Sequence, residues 1–323
     1  MLTRRFLLSA ATVRAVLATA AWAASSSFEG FLEDVRTEAR RSGLSPAIVQ
    51  QALAGVQPNA KVLELDRHQP EFTLTWEQYK ARTVSDRRIA DGRIAWQRQT
   101  ALLQAVQRAF GVDPRVVVGI WGLESNFGTK TGAFNVVEAL ATLAWEGRRA
   151  SFFRAQLMDS LRILDHRDVT PARMTGSWAG AMGQPQFMPD SYLRYAVDFD
   201  GDGRRDIWDS TADTLGSIAN YLARSGWRPG EPWGQRVLVP AGFNSFETGR
   251  EQRRRLGEWM QMGVRRPDGS AFSRPDVIGA LVMPDGADGE AFMVYANFAA
   301  IRRYNPSDLY ALAVGLLGDS VAV

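Results

Sequence analysis

Glu124 closes an apolar run, Val116-Val117-Val118-Gly119-Ile120-Trp121-Gly122-Leu123, and is followed by Ser125-Asn126-Phe127-Gly128. A carboxyl group carried out of so apolar a stretch is costly to ionise unless a charge pairs with it, so its pKa is expected to rise toward neutrality. A carboxylic acid kept protonated in this way can donate its proton. The alternative on this segment alone is a first solvated residue after a buried helix, because perturbed carboxyls mark sites only as a tendency.

A second constellation is Asp198-Phe199-Asp200-Gly201-Asp202-Gly203-Arg204-Arg205-Asp206-Ile207-Trp208-Asp209. Acidic residues at positions 1, 3, 5, 9 and 12, with Gly203 at position 6, match a twelve-residue EF-hand calcium loop in which Arg204 offers its carbonyl at position 7. Asp209 stands where a longer bidentate Glu is usual, and Asp213 is a second candidate for closing the coordination sphere. The alternative is a solvated Asp/Gly turn neutralised by Arg204 and Arg205. A dockerin-like module would need a second copy of the loop, and the chain has one.

Third is Ser177-Trp178-Ala179-Gly180-Ala181-Met182-Gly183-Gln184-Pro185-Gln186-Phe187-Met188-Pro189. Its glycines weaken helix and strand alike, and what remains suits a groove in which aromatic and Met faces cover sugar rings while Gln amides bond to hydroxyls. Met182 can equally be core filler. Near the C-terminus, Asn297 and Tyr304 are polar groups set among apolar ones, suited to orienting a ligand, while Asn305-Pro306-Ser307 also reads as a helix N-cap.

Other chemistries are closed off. The chain has no Cys and only two His, His68 and His166, which excludes thiol nucleophiles and thiolate metal sites and leaves little room for His-based triads or HExxH zinc sites. No Ser lies in a Gly-x-Ser-x-Gly elbow of the strand-turn-helix kind. The chemistry is expected to run on carboxylates.

These residues need a frame, and 323 residues, 46% of them hydrophobic, can supply a large core. Helical spacing fits Phe28 to about Gln57, then Ile94–Phe110, Pro114–Glu124, Val136–Trp145, Ser151–Leu164, Asp213–Arg224 and Ser307–Leu317. From about Trp233 to Tyr295 the chain turns rich in Gly and Pro with short apolar runs, Val237–Val239, Ile278–Val282 and Phe292–Tyr295, which predict a small β-containing insertion. The expected class is mainly α (α+β). The expected order is a leader over 1–23, an N-terminal helical region over 24–96, a catalytic core over 97–232 that includes the loop 198–209, a β subdomain over 233–294, and a return to the core over 295–323.

The leader expectation rests on Arg4-Arg5, the apolar stretch after them, and an Ala21-Trp22-Ala23 cleavage site. Thr3-Arg4-Arg5-Phe6-Leu7 hints at a twin-arginine route, with Sec as the alternative. A membrane anchor is disfavoured because the segment falls short of about 20 apolar residues. The three Arg of the leader account for the formal charge of +3, and the remainder carries 35 basic and 35 acidic residues. A neutral chain gives no footprint for nucleic acid.

Taken together and in order, Gly122–Gly128, the Ser177–Pro189 run, the Asp198–Trp208 loop with Ser217-Ile218-Ala219-Asn220-Tyr221 behind it, and Arg303-Tyr304-Asn305 resemble the MltB-type lytic murein transglycosylases. The resemblance extends from about residue 28 to 318. It implies a lysozyme-like core acting on peptidoglycan glycan strands, cleaving the β-1,4 bond between N-acetylmuramic acid and N-acetylglucosamine. It implies that Glu124 serves as both acid and base, with the muramic acid 6-hydroxyl closing a 1,6-anhydro ring. Ser177 and Gln186 match positions that hold substrate near the acid, and Asn297 and Tyr304 match polar groups around the cleft; Met182 is expected beside them from the reading of its own run. Asp198, Asp200, Asp202 and the carbonyl of Arg204 match structural calcium ligands, with Asp209 or Asp213 completing the set; no organic cofactor is implied. The family's lipobox Cys is absent, so a periplasmic chain without a membrane anchor is expected. A hydrolytic muramidase, which needs a second acid, and a non-catalytic calcium-stabilised wall-binding protein are the alternatives.

Overall fold

The structure is a computed structural model that describes residues 27–68, 74–146 and 148–322. The leader expected over residues 1–23 lies outside the described residues. The N-terminal helices are α1 (Phe28–Arg41), α2 (Pro46–Leu53), α3 (Ala60–Arg67) and α4 (Trp76–Thr83). In α1 the spacing of Phe28, Phe31, Leu32, Val35 and Ala39 puts all five on the buried face, and Ser27 caps the first turn by accepting from the Gly30 N–H.

The long helix α5 (Asp86–Phe110) runs unbroken until Gly111, whose φ of 69° supplies the left-handed turn that ends it. A division at residue 96/97 would therefore cut a continuous helix; α5 belongs to both the N-terminal helices and the core. Next come α6 (Pro114–Ser125), the two-residue strand β1 (Phe134–Asn135), α7 (Val136–Glu146), α8 (Ala150–Asp165), the strand β2 (Thr175–Gly176) that pairs antiparallel with β1, α9 (Pro189–Tyr195) and α10 (Thr211–Arg224).

A four-stranded antiparallel sheet follows, from β3 (Gly234–Val237), β4 (Arg253–Arg255), β5 (Ile278–Val282) and β6 (Ala291–Val294), in the order β3-β6-β5-β4, with α11 (Leu256–Gln261) after β4. The helices α12 (Ala296–Tyr304) and α13 (Asp308–Val321) return to the core. Period-two alternation assigns the sheet's two faces: Ala280, Val282, Phe292 and Val294 join the main helical core, while Leu281, Met283, Ala291 and Met293 face a smaller core with Trp259. Burial on both faces explains why these strands read as continuous apolar runs.

The element that matters most for the site is the pair α6 and α13. A side chain at Gly119 would place its Cβ 2.3 Å from the Val314 carbonyl oxygen, and one at Gly318 would lie 2.3 Å from that of Arg115. Small residues thus let the two helices pack backbone to backbone, running antiparallel. That register brings Tyr310, near the start of α13, level with Glu124 at the end of α6.

Candidate active site

Pro114 at the first helical position and Asp113, which accepts from the Arg115 N–H at 2.9 Å, start α6; Asn126, at φ 49°, ends it. Between them Val116 to Gly122 are buried without interruption, so the helix delivers Glu124 to the edge of a dry core. The Glu124 side chain is half-buried. Its Oε1 accepts from the Tyr310 hydroxyl at 2.6 Å. Burial pushes the carboxyl up to about 7, against which the Tyr310 hydrogen bond pulls down. Among the described residues no Arg or Lys and no second carboxylate perturbs it.

Two further phenols share this environment. The charge of Glu124 adds to burial in raising the pKa of both Tyr79, from α4, and Tyr304, from α12, so all three phenols around the acid stay neutral. Tyr304 also donates to the Pro185 carbonyl at 2.6 Å and packs against Phe187 and Tyr221, with ring centroids 5.7 and 4.7 Å away. It therefore joins the acid to the glycine-rich run.

That run is a tight double turn. Met182 pairs with Phe187 through backbone hydrogen bonds in both directions, at 2.8 and 3.1 Å, and Ser177 accepts on its Oγ from the Ala181 N–H at 3.0 Å. Gly183 has φ 61°, and a Cβ there would meet the Ile207 carbonyl at 2.6 Å. Gln186 takes the same left-handed region at φ 53°, an uncommon conformation for a residue with a side chain, and its Nε2 donates to the carbonyls of Thr131 and Gly183. Held in this way, Gln186 keeps its Oε1 without a hydrogen-bond donor among the described residues.

Two expected cleft residues lie elsewhere. Met182 is fully buried in a core shared with α1, α7 and α8, its backbone bridged to Gly176 and Phe187, so its side chain does not cover a sugar ring. Asn297 is fully buried too: its Oδ1 accepts from the Arg228 N–H at 2.7 Å, and its Nδ2 donates to the carbonyls of Arg228 and Glu231. The amide is used up fastening α12 to the turn after α10. Both are corrections to the sequence reading, with one cause: a polar or soft side chain beside apolar neighbours is as readily a buried tie as a presented ligand.

The acidic loop gathers Asp198, Asp200 and Asp202 so that one carboxylate oxygen from each lies within 4.8 Å of the others. Gly203 takes φ 91°, where an EF-hand turn needs its glycine. Asp198 accepts from the N–H groups of Gly201, Asp202 and Gly203, and Arg204 pairs with Asp202 at 2.8 Å. Asp209 is turned out of this set into an ion pair with Arg173. Asp213 is buried, and its two oxygens accept from the N–H groups of Phe199, Asp200 and Asp206, so it ties the loop from behind. The donor chemistry of the first three carboxylates and the Arg204 carbonyl fits a hard cation.

With the acid, its phenols and the loop in place, the decisive comparison is that the transglycosylase SLT domain model matches residues 27–319. The chain belongs to the transglycosylase SLT domain family. It is 34% identical over 254 residues to the membrane-bound lytic murein transglycosylase B of Escherichia coli (strain K12), a match covering 77% of this chain and 68% of that protein. Among solved structures it is similar to SltB3 of Pseudomonas aeruginosa in complex with NAG-anhNAM-pentapeptide, with a TM-score of 0.89, 46% identity, and 92% and 80% of the two chains covered. Slt35 of Escherichia coli in complex with calcium matches with a TM-score of 0.74 and 30% identity over 91% and 92%. The chain is thus a lytic transglycosylase with a lysozyme-like, mainly helical fold.

The sequence reading of this transglycosylase did not single out Tyr310 or Tyr79, although the first bonds directly to the acid. A faint signal for Tyr310 was present: it lies on the same helix as Gly315 and Gly318, small residues that mark a closely packed face, the first against Trp233 and the second against the backbone of α6. Tyr79 sits on an eight-residue helix with almost no apolar periodicity to announce it.

Proposed function

We propose that Glu124 is the single acid and base of this lytic transglycosylase. Protonated, it gives its proton to the glycosidic oxygen as the bond from C1 of N-acetylmuramic acid to that oxygen breaks. The resulting carboxylate then takes the proton of the muramic acid 6-hydroxyl, whose oxygen bonds to C1 and closes the 1,6-anhydro ring. Glu124 ends protonated, and no water is consumed. A glycosidase that hydrolyses needs a second carboxylate as nucleophile or to activate water; here the sugar brings its own nucleophile, already held close.

The observation that carries this reading is a lone carboxyl whose pKa lies at about 7, hydrogen-bonded to Tyr310, with no second carboxylate acting on it. That isolation disfavours the muramidase, and family membership disfavours a wall-binding protein without catalysis. In this reading Tyr304 and Gln186 orient the glycan, with Ser177 shaping the turn that presents Gln186. The test is mass spectrometry of products from purified sacculi: 1,6-anhydromuropeptides are expected, and equal amounts of reducing muramic acid would overturn the ring-closing step.

For the acidic loop we infer a structural calcium held by Asp198, Asp200, Asp202 and the Arg204 carbonyl. The mutual approach of the carboxylates supports it, as does the calcium complex of Slt35. We also place the enzyme in the periplasm, where its substrate lies, on the strength of the leader pattern before residue 24; no helix among the described residues is long and apolar enough to cross a membrane.

A further inference from the structure

Beside the C-terminal turn of α6, but not including Glu124, lies a trough of about 940 Å3. One wall is α5, from which Arg87, Asp91, Ile94 and Arg98 project at intervals of four, three and four residues, a single stripe on one helix face. The facing wall is the chain from Asn126 to Lys130. Arg88 ties the two walls: it donates from Nε to the Asn126 side chain and from Nη1 to the carbonyl of Thr83. The trough therefore begins two residues from the catalytic acid along the chain.

Its charge is one-sided. Arg87, Arg98 and Lys130 are exposed, and among the described residues none of the three side chains forms a hydrogen bond or ion pair; Asp91 is the one acid in the lining. Arg87 and Arg88 also occupy the first turn of α5, the positive end of the helix dipole, where cations are disfavoured. Arg88 is held there by its bonds to Asn126 and Thr83, but the exposed Arg87 guanidinium has no partner among the described residues and so no return in the folded chain itself.

We propose that this trough takes the anionic peptide stem carried by the glycan strand, so that stem-bearing substrate is selected over bare glycan. The proposal rests on the transglycosylase reading above. Arg87 and Arg98 stand eleven residues apart, about 16 Å along the helix at 1.5 Å per residue. A stem of five residues reaches at most about 17 Å when extended, with a carboxylate at its end. Lys130 and Arg98 answer that carboxylate, while the half-exposed Ile94, 49% accessible, offers an apolar face between the charges.

The experiment measures binding in an enzyme carrying Glu124→Gln, which holds its strand without cutting it. Soluble glycan strands bearing stems are compared with strands stripped of them by an amidase. Stem-bearing strands are expected to bind about tenfold more tightly at low ionic strength, with the preference shrinking as salt screens the exposed charges. Adding Arg87→Ala, Arg98→Ala and Lys130→Ala together should erase the preference and leave stripped-strand binding unchanged. Arg98→Glu alone is the second variant and should weaken only the stem-bearing strand. Equal binding of the two strands by the starting enzyme, or equal weakening of both by the substitutions, overturns the proposal. Failure of the transglycosylase reading would show instead as missing anhydro products from the unmutated enzyme.

Discussion

Replacing Glu124 with Gln should make the protein inactive and, at alkaline pH, more stable. Gln keeps the shape of the acid and can still accept from the Tyr310 hydroxyl, but it neither gives nor takes a proton. A positioned acid or base contributes typically 10²–10⁴-fold, and Glu124 serves in both capacities, so a loss of at least about 10³ in turnover is expected. The stability change follows from the pKa, raised from 4.5 to about 7 chiefly by burial. Because the folded chain holds this proton more tightly than the unfolded chain, the stability it contributes is complete below about 4.5 and is lost as pH rises through 7. At 1.36 kcal/mol per pH unit, the buried charge costs about 3 kcal/mol at pH 9. For a chain of this size that amounts to a melting-temperature difference of about 5 °C. Thermal unfolding of both proteins between pH 4.5 and 9 is the assay: the Gln variant should melt with the parent at pH 4.5 and above it at pH 9. A difference that does not change with pH would refute the burial argument, whatever happened to activity.

Tyr310→Phe removes the hydrogen bond that favours the charged form of Glu124, so the alkaline limb of the pH–rate profile should move to higher pH; an unmoved or lowered limb counts against the contact. Calcium at a hundred times its Kd should add about 2.7 kcal/mol by mass action, read as a rise in Tm, and Asp200→Ala should abolish that rise; no shift with millimolar calcium in the parent removes the ion from the loop. Asn297→Ala should lower stability by about 1–3 kcal/mol through the backbone groups it leaves unpaired while KM for glycan strands stays put. A raised KM at unchanged Tm would return Asn297 to the cleft.

What the sequence revealed divides along physical lines. Helices with long apolar stripes, such as α6, α7, α10 and α13, were legible to within a few residues, because their burial is written in their spacing. The short helices α3, α4, α9 and α11, of six to eight residues each, carry too few turns for periodicity to register. Strand β4 is Arg253-Arg254-Arg255, a charged edge strand; such residues blunt an open sheet edge, and the same property hides the strand from a search for apolar alternation. At the site, Glu124 was legible because a carboxyl at the end of an eight-residue apolar run conflicts with local rules, and such conflicts collect at functional sites. Its partner Tyr310 was not, because 186 residues separate them and only the antiparallel register of α6 and α13 brings them level. Asn297 misled for the converse reason: composition around a buried tie and around a ligand contact is alike, and only the partners tell them apart.

The α6–α13 contact also explains how the fold tolerates its acid. An unpaired carboxyl at the edge of a core is a liability that a cation would remove, yet a cation would pull the pKa down and end its service as a proton donor. Tyrosine resolves the conflict: its hydroxyl satisfies the carboxyl oxygen as a neutral donor, stabilising the charged form enough for the base step without abolishing the protonated form needed for the acid step. The donor must be fixed within hydrogen-bond range by the backbone, since α13 reaches Glu124 only because Gly119 and Gly318 leave no side chain between the helices. The two glycines thereby hold the distance on which the pKa of the acid depends.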